Sequence, residues 1–347
     1  MSSGNDYPHS HSRNSDEVDD EVQFQDTNHE DERVVDPPDT NVLVELGAED
    51  FPTYFLERDG RLFPSNESSP YPLPIDTPEQ ERANVQHGIL HRLIGANYIG
   101  PVREILALEP GRQKLVVDLC TGTGKWVIDM AREFPHVQFR GLDIVPIATR
   151  YPPPNVRFEI HDVNTPLRWA DNSVDFIHAR SISMAVRDYP VVLREVARVL
   201  RPGGLFFSGE WGRYAAFHSV FGLDPAIRAP ASFHFYEALT NALRNCRGIE
   251  PIAQFIPGFL STSGLFTQIF GQHFAMPIGP WHDDPQYKSI GKAFRAAHRR
   301  YADSVSSLLT EAGEDAGQIV AEYVDELRRV PGLVSLYHTV HARKPLG

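Results

Sequence analysis

The most constraining stretch of this 347-residue chain is Lys114–Phe134, KLVVDLCTGTGKWVIDMAREF. It opens on Leu115-Val116-Val117, an apolar run without polar alternation, as expected of a strand buried on both faces of a parallel sheet. It then breaks into Thr121-Gly122-Thr123-Gly124. Beyond the break, Trp126, Val127, Met130, Ala131 and Phe134 recur at helical spacing. Strand, glycine turn and helix together form the first unit of a nucleotide-type α/β fold. Its ligand lies at the carboxyl end of the strand.

Two ligand classes are disfavoured by the turn itself. A dinucleotide fingerprint starting at Gly122 and Gly124 wants Gly or Ala at position 127, where this chain has Val127. No G-x-x-x-x-G-K-[ST] phosphate loop is present. What stands here is Asp118-x-x-x-Gly122-x-Gly124, in which an acidic residue closes the strand and two glycines let a ligand approach the backbone. A carboxylate there repels pyrophosphate and suits an ammonium group, which S-adenosylmethionine carries.

The following segments repeat the pattern. His136–Ile144 reads as a second strand ending at Asp143, about 20 residues past the glycine turn, where such folds bind ribose hydroxyls. Asn155–Val163 reads as a third, ending at Asp162, a carboxylate able to accept from an exocyclic amine. Each Asp alone is as readily a solvated strand end or a helix cap. Three at successive strand ends argue for a cofactor site.

Residues 174–180 read as a fourth strand ending near His178, Arg180 and Ser181. The helix Tyr189–Leu200 follows, stopped by Arg201-Pro202-Gly203-Gly204. A fifth strand, 205–211, ends at Glu210 and Trp211. This alternation predicts a doubly wound, mostly parallel sheet. Later segments suggest a strand in 265–278, helices over 286–309 and 315–329, and a last strand, Val334–Ala342, as an antiparallel edge. Upstream, Asn41–Leu46 suggests a short strand or helix, and Asp59-Gly60 a turn. Pro70 to Pro78 suggests an extended linker, and Thr77 an N-cap with Pro78 first in the helix and Gln80 at its third position. That helix, carrying Gln86, His87 and His91 and running to about Leu93, is placed to cover the cofactor.

Charge divides the chain. The net charge is −13, and residues 1–40 hold twelve acidic against two basic side chains, so the remainder is nearly balanced. The first 40 residues are too poor in large apolar groups to offset ordering entropy and read as a disordered acidic tail. Residues 41–110 read as an N-terminal extension and helical lid. Residues 111–347 read as the catalytic domain, with a core at 114–212 and substrate-side helices and final strands at 213–347. No basic nucleic-acid face and no membrane span is apparent. Cys120 and Cys246 are too few for a disulfide framework, and no metal-ligand spacing occurs. A reducing, cytoplasmic setting is expected.

The segments DLCTGTGKW, GLDI, HDV and VLREVARVLRPGGLFF resemble the successive motifs of class I S-adenosylmethionine-dependent methyltransferases. The flanks YPLPIDTPEQERANVQHGIL and MPIGPWHDDPQYKSIGK resemble those of LaeA-like (TAM-domain) fungal methyltransferases, over residues 54–345. The resemblance implies a Rossmann-like seven-stranded sheet and S-adenosyl-L-methionine as cofactor. It implies that Asp118, Cys120 and the turn Thr121, Gly122 and Gly124 hold the methionine part. Asp143 with Ile144 would bind ribose, Asp162 with Val163 adenine, and Arg180 would lie at the pocket wall. The family usually has Gly where this chain has Cys120, which is strained if the position needs positive φ.

The implied reaction is transfer to a small-molecule methyl acceptor in secondary metabolism. The alternative is a nuclear regulator acting through velvet-type protein partners. A general base is optional. His178, Glu210, Tyr214 and His218 stand at or beyond strand ends as candidates, and for each the packing or surface role is the favoured reading. Past Trp211, the aromatics Tyr214, Phe217, Phe221, Phe233, Phe235 and Tyr236 either line a pocket for a flat apolar substrate or pack a helix pair.

Overall fold

The structure, a computed structural model, describes residues 43–346. The acidic tail lies outside the described residues. Residues 43–46 carry no regular structure, so the short element expected at Asn41–Leu46 is absent from its described part.

Strands β1 (Phe55–Arg58) and β2 (Arg61–Pro64) pair antiparallel. Asp59 and Gly60 join them with φ of 52° and 70°, the left-handed pair that matches strand twist in a two-residue hairpin. Helix α1 spans Thr77–Ile94. Its N-cap is Asp76, not Thr77, and Pro78 falls at the second helical position. The Asp76 carboxylate accepts from the Glu79 N–H and is gripped by Arg61, and Gln80 reaches back to the Ile75 carbonyl. The ion pair with Arg61 makes Asp76 the better anchor.

Next come α2 (Val102–Ile105), β3 (Lys114–Leu119), α3 (Lys125–Glu133), β4 (Val137–Asp143), β5 (Val156–Ile160), β6 (Val174–Arg180), α4 (Tyr189–Val199) and β7 (Leu200–Trp211). The substrate-side half holds β8 (Ala216–Phe217), α5 (Pro225–Arg228), α6 (Pro230–Arg247), α7 (Ile256–Ser263), β9 (Thr267–Pro277), α8 (Pro285–Glu311), α9 (Ala316–Arg329) and β10 (Leu333–Arg343).

The sheet runs β5-β4-β3-β6-β7-β10, with β9 and the two-residue β8 both on β10. Strands β5 to β7 are mutually parallel, and β10 is antiparallel to β7 and to β9. Seven long strands thus form the expected sheet. Strand β10 is not its edge, however, but lies between β7 and β9. The stretch Arg201–Gly204 also departs from expectation. Helix α4 ends at Val199, and Arg201–Gly204 belongs to β7, where the β6–β7 register shifts and Gly203, at φ 76°, donates to the Lys344 carbonyl. Pro and Gly here make a bulge rather than a loop.

Strand β3 is buried along its whole length, which explains its unbroken apolar run. One face, with Val116, Phe176 and Phe207, packs on Trp126, Val127 and Met130 of α3. The other, with Val117, Ile177 and Phe206, packs on Val192, Leu193 and Val196 of α4. Each such side chain contributes about 2 kcal/mol by burial. A separate apolar core joins α1, α6, α8 and α9. The chain runs outward from β3 through β4 to β5, then returns to β6 on the other side of β3. That reversal opens a crevice at the carboxyl ends of β3 and β6.

Candidate active site

A cavity of about 220 Å³ lies at this crevice. Its floor is Asp118 in β3 with Cys120, Thr121 and Gly122 after it, Arg180 at the end of β6 with Ser181 after it, and Glu210 to Arg213 at the end of β7. Arg82, Asn84 and His87 of α1 cover it, and Phe294, His298 and Tyr301 of α8 wall it beside Tyr236 and Met184.

Asp118 is fixed from two sides. One oxygen meets His178 Nδ1 at 2.6 Å and the other accepts from the Thr121 hydroxyl at 2.7 Å. The His178 ring is sandwiched between Trp126, with centroids 3.6 Å apart, and Phe207, at 5.1 Å. Burial holds its pKa below the ordinary value despite Asp118. His178 is therefore a buried support for Asp118 and not a residue of the site rim.

Two non-glycine residues at the rim are left-handed, Cys120 at φ 52° and Ser181 at φ 59°. The Cys120 strain anticipated from its departure from Gly is thus present, of order 1–2 kcal/mol. Burial and the neighbouring carboxylates, Asp143 first, push the Cys120 thiol well up, so it stays protonated.

The two glycines serve different ends. At Gly122, with φ 57°, an added Cβ would meet nothing within 4 Å. At Gly124, with φ 73°, it would lie 2.3 Å from the Phe158 ring. Gly124 is buried and makes room for Phe158 rather than for a ligand, while Gly122 alone leaves open space at the cavity. Asp143 Oδ2 accepts from the Gly122 N–H at 2.8 Å, and its other oxygen accepts from the Val145 N–H. Burial outweighs these bonds and raises the Asp143 carboxyl to about 6.

Asp143, Ile144, Asp162 and Val163 do not line the cavity. Asp162 lies two residues past the end of β5 and caps a turn, accepting from the backbone and side chain of Asn164. Among the expected general bases, only Glu210 faces the cavity. Tyr214 donates to or accepts from His338 at 2.8 Å, and His218 packs on Trp281. Among the expected pocket aromatics, only Tyr236 lines the cavity, whereas Phe235 stacks on Tyr323 in the helical core.

Helix α1 is fastened over the site. Asn84 accepts from the Thr123 hydroxyl at 2.7 Å, and His87 lies 3.0 Å from Asp129 of α3 and 3.1 Å from Arg180. Burial and the Arg180 charge lower His87 to about 4. Arg82 pairs with the buried Glu79, which also accepts from Ser304 of α8. The sequence flagged His87 only as a helix residue. Arg82, Arg213, His298 and Tyr301 carried no signal, because their convergence depends on how α1 and α8 pack over the sheet.

Residues 116–204 match the family model of a methyltransferase domain. The chain is 32% identical over 233 residues to "Secondary metabolism regulator laeA" of Coprinopsis cinerea, covering 66% of this chain and 58% of that relative. The match thus spans less than two thirds of that relative's length. It is 29% identical over 259 residues to "Methyltransferase pytC" of Aspergillus terreus, covering 73% of this chain and 75% of that one. A solved structure of Haemonchus contortus phosphoethanolamine N-methyltransferase 2 with S-adenosyl-L-methionine aligns with a TM-score of 0.45 at 16% identity, over 82% of this chain and 62% of that one. Among the described residues, no helix is long and apolar enough to cross a membrane. The strand–turn–helix unit, the strand order and the two sequence matches agree: the chain carries a methyltransferase domain and is similar to the LaeA-like fungal methyltransferases.

Proposed function

We propose that this chain binds S-adenosylmethionine beneath α1 and transfers its methyl group to a small molecule of fungal secondary metabolism. The observation that carries the reading is the open cradle at Gly122, bordered by Asp118 and Arg180 in a cavity closed by α1. The residues suit the cofactor's charges. Asp118 offers a carboxylate to its ammonium group, and Arg180 a guanidinium to its carboxylate. Cys120, Thr121 and Gly122 bound the methionine part, with Gly124 setting the turn. Asp143, beside Gly122, is assigned with Ile144 to the ribose, and Asp162 with Val163 to the adenine. Opening of the Asp143–Gly122 contact would free that carboxylate.

When bound, the cofactor supplies a methyl group already activated by its sulfonium. The protein's task is then positioning and the exclusion of water. His178 and Thr121 hold Asp118 in one orientation. The Asn84–Thr123 and His87–Asp129 contacts hold α1 over the cavity. Glu210, whose carboxyl is raised by burial, accepts from Ile182, Ser183 and the Ser183 hydroxyl. It shapes the acceptor side, and no residue is assigned as catalytic base.

Incubation with methyl-labelled cofactor and fungal metabolite extracts tests this reading. Labelled small molecules support it. A protein that binds cofactor but labels nothing favours the second reading, regulation through protein partners, which the regulator name of the Coprinopsis relative supports. Under that reading the protein is nuclear and engages velvet-type partners; under the first it is cytoplasmic. Removing residues 1–40 separates the two, since lost partner binding with retained turnover favours regulation through the tail.

A further inference from the structure

Arg213, two residues beyond β7, turns back into the cavity and is only 9% exposed. Its Nη2 donates to the Ser183 hydroxyl at 2.8 Å, which itself donates to Glu210 at 2.6 Å. The other Glu210 oxygen is taken by the Ile182 and Ser183 N–H groups. The carboxylate is therefore committed to its own loop, and a hydroxyl stands between it and the guanidinium. Arg213 Nη1 is buried with no hydrogen-bond partner. The Tyr301 hydroxyl interacts with the same guanidinium, and Glu210 feels its charge, but burial raises the Tyr301 phenol and keeps it protonated and uncharged.

A guanidinium does not shed its proton, and a buried charge without a partner is strongly unfavourable. Two other cations bordering the cavity have carboxylate partners, Arg82 in Glu79 and Lys125 in Asp129, while Arg180 meets the neutral ring of His87. The same cavity is lined by Met184, Trp211, Tyr236, Phe294, His298 and Tyr301. A cavity wall that combines aromatic and aliphatic side chains with a guanidinium nitrogen lacking a hydrogen-bond partner is complementary to an apolar body bearing a carboxylate.

We propose that Arg213 recognises the methyl acceptor, and that this acceptor is an organic acid whose carboxylate pairs with Arg213 Nη1 while its apolar or aromatic body lies against Tyr236 and Phe294. This rests on the cofactor reading above. Arg213 follows β7, whereas the residues assigned to the cofactor stand at the ends of β3, β4, β5 and β6, and the cofactor carboxylate is assigned to Arg180, so the two anion subsites are distinct.

The test uses the full chain loaded with S-adenosylhomocysteine. It is titrated calorimetrically with hexanoate, octanoate, benzoate and cinnamate, and with the primary amide of each. At least one acid binds the wild type about tenfold or more tightly than its amide. Arg213→Gln loses that preference yet keeps its affinity for S-adenosylhomocysteine, which also shows that it is folded. Arg213→Lys keeps the preference in part. The proposal is overturned if no acid is preferred over its amide, or if the preference survives in Arg213→Gln. It is equally overturned if Arg213→Gln no longer takes S-adenosylhomocysteine, since Arg213 then serves the cofactor. A folded wild type that takes none overturns the cofactor reading itself, whereas failure confined to the acids overturns only the acceptor assignment.

Discussion

His298 gives the cavity wall a calculable acid sensitivity. It lies on α8, with Nδ1 3.2 Å from the Phe294 carbonyl, Nε2 3.5 Å from the Tyr236 hydroxyl, and its ring edge-on to Phe294. Burial, with a smaller contribution from the nearby Arg82 charge, lowers its pKa from 6.5 to about 4. A depressed folded pKa means that the native state binds fewer protons than the unfolded state. The associated stability is full above pH 6.5 and is lost as pH falls toward 4. Between pH 7 and pH 4.5 the unfolded imidazole becomes almost fully charged while the folded one stays mostly neutral, a linkage worth about 2 kcal/mol. Urea unfolding followed by tryptophan fluorescence at both pH values, on wild type and His298→Asn, isolates this contribution. His87 shares the sign and cancels in the comparison. The wild type should lose about 2 kcal/mol more than the variant on acidification. Equal losses would refute the reasoning.

Other outcomes follow from the same geometry. Gly124→Ala, forced against Phe158, should destabilise the fold by about 2–4 kcal/mol, seen as a lower melting temperature with or without ligand. Thr123→Val removes the hydroxyl that donates to Asn84 and should speed cofactor release about threefold to tenfold in stopped-flow displacement, with little change in stability. Burial raises the Asp143 carboxyl to about 6, so if its carboxylate accepts the ribose hydroxyls as proposed, cofactor affinity should fall below that pH. The decline should approach tenfold per unit in calorimetric titrations, and Asp143→Asn should flatten it.

Much of the fold was legible because β3, α3 and α4 obey simple periodicities. The apolar run Leu115–Val117 follows from burial on both sheet faces, and the α3 stripe from one packed face. Asp118 and Gly122 were legible for the same reason, since the strand end and turn fix their places. Contacts between distant segments were not. Nothing local to Gly124 signals that Phe158, on another strand, needs its missing side chain. His178 looked like a rim residue because strand periodicity does not say that Trp126 and Phe207 close over it. The Arg201–Gly204 stretch has the composition of a turn, yet Lys344 supplies a strand partner from the far end of the chain. Arg213 is a lone arginine in sequence. It acquires meaning only when Ser183 is found to stand between it and Glu210.

The central claim is that the open space at Gly122 is where the cofactor lies. The most direct measurement is calorimetric titration of the full chain with S-adenosylmethionine, wild type against Gly122→Ala. An added Cβ there meets no protein atom within 4 Å, so the variant should stay folded, with about 1 kcal/mol of backbone strain. The account predicts micromolar-range binding by the wild type and at least about a tenfold loss in the variant. Binding unchanged in Gly122→Ala, or none by a folded wild type, would contradict it.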